Sequence, residues 1–123
     1  MGHVIQEITL SGVSEEKVMM LVDTGATYSL VSPELAKRLG LTPFPTKERV
    51  TLANGQKVEA DIALVRVQIG DRSVATPALI MDCDEPLLGV EALEALGLAV
   101  DPSSGTLKPT RNYSLRLGVI CYS

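Results

Sequence analysis

Alternation of apolar and polar positions opens the chain. Val4, Gln6, Ile8 and Leu10 fall on one side of an extended segment, and residues 18 to 22 read Val-Met-Met-Leu-Val. Between them, Ser11-Gly12-Val13-Ser14-Glu15-Glu16 supplies turn-forming residues, so the pattern predicts two strands joined as a hairpin. The second strand runs straight into Asp23-Thr24-Gly25. The period then changes. Leu35 and Leu39 are spaced to share a helical face, Pro33 suits a first helical position, Ser32 can cap it and Gly40 can end it. A short helix over 33–39 follows, too short to hold without support from the rest of the domain.

Pro43 and Pro45 keep the next stretch extended. Residues 50–52 and 57–67 flank Asn54-Gly55, a dipeptide that tolerates the positive φ of a tight hairpin turn. Residues 62 to 69 are apolar on both faces at first, until Arg66 and Gln68 mark one face as wetter. Gly70-Asp71 turns the chain into a strand over about 74–80. Leu87-Leu88-Gly89 precedes a second short helix, about 90–97, with Leu93 and Leu96 on its apolar side and Gly97 at its end. Val100 and Leu107 bracket a hairpin-like turn, Asp101-Pro102-Ser103-Ser104-Gly105. Over 111–120, Tyr113, Leu115, Leu117 and Val119 alternate with Asn112, Ser114, Arg116 and Gly118, predicting one more strand. With so few and such short helices, βαβ winding is disfavoured. The expected fold is mainly β, a closed or folded-over, barrel-like sheet with two short helices.

Composition narrows this picture. The 123 residues make one ordinary domain. Trp is absent and Phe44 stands alone, so the core is expected to be aliphatic. The net charge of -4 and the scattered Lys and Arg give no positive stripe, so nucleic acid is not expected as a partner. Cys83 and Cys121 are too few for a disulfide scaffold. The first ten residues lack a signal-peptide core, and no apolar run approaches the roughly 20 residues that span a bilayer. A cytoplasmic location with no membrane partner is expected. His3 is the lone histidine, which leaves metal binding and histidine-assisted serine catalysis without support. Cys83 lies among Asp82, Asp84 and Glu85, a setting that raises a thiol's pKa and disfavours a nucleophile. There is no Gly-rich phosphate loop and no dinucleotide fingerprint.

Asp23 is the most informative residue. A carboxylate at the end of an apolar strand is costly unless it is hydrogen-bonded, and Gly25 permits close approach of a substrate or a second chain. An Asp that merely closes a strand-to-loop turn is the plainer reading of the same residues. The stretch Leu21-Val22-Asp23-Thr24-Gly25-Ala26, continued by Thr27-Tyr28-Ser29-Leu30-Val31, resembles the active-site signature of the aspartic proteases. Leu87-Leu88-Gly89 is similar to the hydrophobic-hydrophobic-Gly element that the family places before its helix. Gly89 to Leu107 looks like the bacterial and archaeal single-domain branch of the retroviral-type (retropepsin-like) proteases. The resemblance covers about residues 4 to 109. It implies one protease domain over 1–110 and a strand-like extension over 111–123 that contributes to a dimer interface or covers an edge of its own subunit.

The resemblance also implies a mechanism. One Asp-Thr-Gly per chain makes a two-fold homodimer the active unit, with Asp23 of each subunit sharing a proton and activating a water against an extended peptide or unfolded protein. No cofactor and no metal are implied. Thr24 would interlock with its twin, and Gly25 and Ala26 would line the cleft floor. The hairpin Leu52-Ala53-Asn54-Gly55-Gln56 would be a flap over the substrate, although viral flaps are richer in Gly. Thr27, Leu30, Leu52, Ala53, Asn54, Gly55, Ile80 and Leu88 would shape the substrate pockets. Thr27 and Tyr28 stand where many relatives carry Asp or Ser, so Thr27 offers only a neutral hydroxyl. A non-catalytic member of the fold, used for peptide binding or assembly, would keep the same Asp23.

Overall fold

The computed structural model describes residues 4–110. Strands β1 (Val4–Ser11) and β2 (Glu15–Val22) pair in full register, Val4 with Val22 through Ser11 with Glu15. Val4, Ile8 and Leu10 are buried and Gln6 is half-buried, as the alternation predicts. After β3 (Ser29–Val31) comes α1 (Pro33–Leu39), whose bounds match the expected helix. Ser32 Oγ accepts from the Leu35 amide at 3.1 Å, and Gly40 ends the helix in the left-handed region at φ 73°. Leu35, Ala36 and Leu39 face inward.

Strand β4 (Glu48–Thr51) and the long β5 (Lys57–Ile69) form the next hairpin, and β6 (Arg72–Ile80) returns along β5. β7 is only Leu87–Leu88, followed by α2 (Val90–Leu96) and the ribbon of β8 (Leu98–Asp101) and β9 (Thr106–Pro109). In the β8–β9 turn, Asp101 Oδ1 accepts from both the amide and the hydroxyl of Ser103 at 3.0 and 2.8 Å, which holds its carboxyl below the usual range. The strand expected over 111–120 lies outside the described residues.

The mainly β content and the two short helices match expectation, but the closed barrel does not. Seven strands form an open sheet in the order β1-β2-β7-β3-β6-β5-β4, and β8–β9 is a separate two-stranded sheet. β1 touches β5 through three residue pairs only, Thr9–Ser11 against Arg66–Gln68. The reason lies in strand length. β1 ends at Ser11, opposite Arg66, and β5 ends at Ile69, one residue past Gln68, so their free edges overlap only at that corner. β4 ends the sheet with one edge unpaired among the described strands.

Two apolar clusters lie on opposite faces. The larger gathers Ile8, Leu10, Met20, Val31, Leu39, Val67, Leu88 and Leu96, all buried, with both helices packed on it. The smaller joins Ala60, Ile62 and Leu79 to Tyr28, Leu30, Val50 and Met81. β5 serves both. Ala60 and Ile62 are buried on one face, then Ala63, Val65 and Val67 on the other. That exchange of faces explains why residues 62–65 read as apolar on both sides. Among the described residues no helix is long and apolar enough to cross a membrane.

Helix α1 is short, so its cap is a large share of its stability. Ser32→Ala is expected to lower unfolding free energy by about 1 kcal/mol in urea titration, and Ser32→Asp to retain most of it.

Candidate active site

Asp23 follows directly after β2. β2 runs parallel to β7, with Leu21 opposite Leu87 and Val22 opposite Leu88, and the Asp23 amide donates to Leu88 O at 3.0 Å. Beyond Asp23 the chain turns tightly. The Ala26 amide returns to Asp23 O at 3.1 Å, and the Gly25 amide donates to Asp23 Oδ1 at 2.9 Å. One carboxylate oxygen is thereby fixed by the backbone two residues on.

The loop is stitched to the segment 86–91 at further points. Gly89 N–H donates to the buried Ser29 Oγ at 3.0 Å. The Val90 amide donates to Ala26 O at 2.8 Å and the Glu91 amide to Thr27 O at 3.0 Å. These are the first amides of α2, whose N-cap Gly89 has no side chain to satisfy them. Loop carbonyls therefore do the capping. A Cβ on Gly89 would lie 2.5 Å from both the carbonyl carbon and oxygen of Tyr28, so only glycine allows this approach.

A cleft of about 720 Å³ opens above Asp23. Of the expected site residues, Asp23, Gly25, Ala26, Thr27, Leu30, Leu52 and Ala53 line it. Thr24 does not. It is exposed and borders a second, smaller groove of about 420 Å³ with Leu93, Leu98 and Val100. Asn54 and Gly55 form the exposed turn of the β4–β5 hairpin, where Asn54 Oδ1 accepts from the Gln56 amide at 2.9 Å and Gly55 has φ 86°. Leu88 is fully buried in the main core, and Ile80 packs against that same core.

In the places expected for Ile80 and Leu88, their neighbours Leu79 and Leu87 line the cleft. Both displacements are a single residue, and along a strand one residue changes the face. Cross-strand register makes the wall explicit. Leu21 lies opposite Leu87, Leu87 opposite Leu30, Leu30 opposite Leu79 and Leu79 opposite Ile62. One apolar row thus crosses the sheet beneath the cleft. The sequence reading also missed Tyr28, Arg49, Val50, Thr51, Met81 and Asp82 as cleft residues. Tyr28 follows Thr27 directly and was legible as a departure from the family pattern. Arg49 to Thr51 required knowing that β4 lies over the cleft.

Cys83 sits half-buried beside the cleft residue Asp82. Burial, then the charges of Asp82, Asp84 and Glu34, push its thiol up, in agreement with the sequence expectation. No group of three or more His, Cys, Asp or Glu among the described residues is placed to hold a metal ion.

The profile described as gag-polyprotein putative aspartyl protease matches residues 10–95. The chain is 29% identical over 102 residues to nuclear receptor-interacting protein 2 of Mus musculus, covering 78% of this chain and 36% of that protein. It is 35% identical over 101 residues to an uncharacterized protein in the cobV 5' region of Sinorhizobium sp, covering 77% of this chain and 42% of that one. It therefore spans less than half the length of the curated relatives it matches. EIAV protease, solved in complex with the inhibitor HBY-793, shares the fold at a TM-score of 0.64 and 22% identity, over 78% of this chain and 89% of that one. A retropepsin-like aspartic protease from Rickettsia conorii matches with a TM-score of 0.60 and 27% identity, over 82% of this chain and 78% of that one.

Two outcomes are expected. Gly89→Ala should cost roughly 3 kcal/mol or more in chemical denaturation, because the added carbon meets backbone that has no room to move. In a Cys121→Ser background, Cys83 should react with iodoacetamide at pH 8 more slowly than free cysteine, since less of it is thiolate.

Proposed function

Because the chain belongs to the family of gag-polyprotein putative aspartyl proteases and has the retropepsin-like fold, we propose that it is an aspartic endopeptidase whose active unit is a homodimer. The observation that carries the reading is Asp23, held at the floor of an apolar cleft by the Gly25 amide at 2.9 Å. The chain contains one Asp-Thr-Gly. Two copies related by a two-fold axis would bring two Asp23 carboxylates together, and two such groups share one proton because both cannot ionise cheaply.

In the proposed reaction the ionised Asp23 takes a proton from water. The protonated Asp23 of the second copy donates to the scissile carbonyl oxygen, giving a tetrahedral intermediate that collapses as the leaving nitrogen is protonated. The Asp23–Gly25 bond orients one carboxylate before substrate arrives. The apolar row from Leu87 to Leu79 would receive side chains of an extended peptide, with the β4–β5 hairpin above it excluding water. Thr27 and Tyr28 would contact substrate through neutral groups. Residues 1–110 make up the protease domain in this reading, and 111–123 an extension that would contribute to the dimer interface.

Asp23→Asn should remove all peptide hydrolysis at mildly acid pH while leaving the thermal transition and circular dichroism in place. Survival of cleavage in that variant would overturn the assignment. Specific activity should fall on dilution, as expected of a reversible dimer.

A further inference from the structure

Helix α2 has seven residues, no side-chain cap at its start, and a left-handed Gly97 at its end whose N–H returns to Glu94 O at 3.0 Å. Gly89 provides no side-chain cap, and no basic residue occupies its last turn. Its first amides are committed to Ala26 O and Thr27 O. Its far end is held from another element. Arg72 Nη1 donates to Leu96 O at 2.8 Å and, more loosely, to Gly97 O at 3.4 Å. Gly97 O also accepts from the Thr110 amide at 2.8 Å, so the end of β9 meets the helix at the same point. A guanidinium at a helix C-terminus satisfies carbonyls that lack partners and lies at the negative end of the helix dipole.

Arg72 is the first residue of β6, opposite Ile69 across the turn at Gly70-Asp71. Its backbone is therefore set by the longest hairpin of the sheet, and α2 packs against β6. Two turns of helix connect this anchor to the loop carrying Asp23. We infer that Arg72 is a positioning residue for the Asp23 loop, with α2 acting as a strut that transmits its hold to the Ala26 and Thr27 carbonyls. Arg72 is outside the cleft lining and touches no substrate in this reading.

The inference rests on the proposed hydrolysis for its kinetic readout, whereas hydrogen exchange reads it without any activity. The full chain carrying Arg72→Met is compared with Arg72→Lys. In Arg72→Met, exchange at the Val90 and Glu91 amides should quicken about tenfold, the scale of one lost charge-assisted hydrogen bond, while Val65 and Val67 in β5 keep their protection. On a peptide substrate, kcat should fall by a similar factor with KM nearly unchanged, and Arg72→Lys should restore most of both.

Quickened exchange confined to 96–98, with Val90 and Glu91 unchanged, would reduce Arg72 to a local helix cap and overturn the inference. If Arg72→Met loosens every amide alike, Arg72→Gln, which keeps a side-chain donor, decides by the same two amides. Absence of hydrolysis in the unsubstituted chain would remove the protease reading and leave the exchange result to decide the strut.

Discussion

Hydrogen bonds between residues 21–29 and 86–91 hold the candidate site together. Leu21 and Asp23 donate to Pro86 O and Leu88 O. Gly89 donates to Ser29 Oγ, and Val90 and Glu91 donate to Ala26 O and Thr27 O. All but the Gly89–Ser29 bond are backbone to backbone, so they depend on main-chain geometry more than on particular side chains. Two of the strands that meet here, β3 and β7, are among the shortest in the molecule. Such short strands are marginal alone. They persist because Leu88 and Val31 are buried beneath them and because Gly89 lets the two segments approach to a distance no other residue allows.

The sheet divides its two faces between stability and recognition. Leu88, Val31 and Ala78 turn to the main core, and their neighbours Leu87, Leu30 and Leu79 turn to the cleft. A strand places successive side chains on opposite faces, so every core residue here brings a cleft residue with it. Changes to the cleft wall can therefore leave the core intact. The small cluster around Ala60 and Ile62 adds a further link, tying Val50 of the β4–β5 hairpin to Tyr28 and Met81 beside the site.

Two ion pairs lie on the surface. Arg38 makes a two-pronged contact with Glu16 at 3.1 and 2.9 Å, which pins α1 to β2 on the surface and holds the Glu16 carboxyl below its ordinary range. Lys47 pairs with Asp61 at 3.0 Å at the open end of the β4–β5 hairpin. Both pairs are solvent-exposed, where ion pairs add little stability. The candidate site itself is held by burial and backbone hydrogen bonds, so its geometry should depend little on salt.

Local patterns along the chain determined the β1–β2 hairpin, both helices with their glycine stops, the turn at Asn54-Gly55 and the place of Asp23 at the end of an apolar strand. In each case the information lies within a few residues: a period, a cap, or a residue that tolerates positive φ. Only the tertiary structure decided that the sheet stays open, that β3 and β7 exist as strands, and that Leu79 and Leu87, not Ile80 and Leu88, line the cleft. Those outcomes turn on which strand lies opposite which, over separations of tens of residues. An apolar pair such as Leu87-Leu88 looks the same in sequence whichever member faces inward, and the choice is made by the neighbouring strands that cover it.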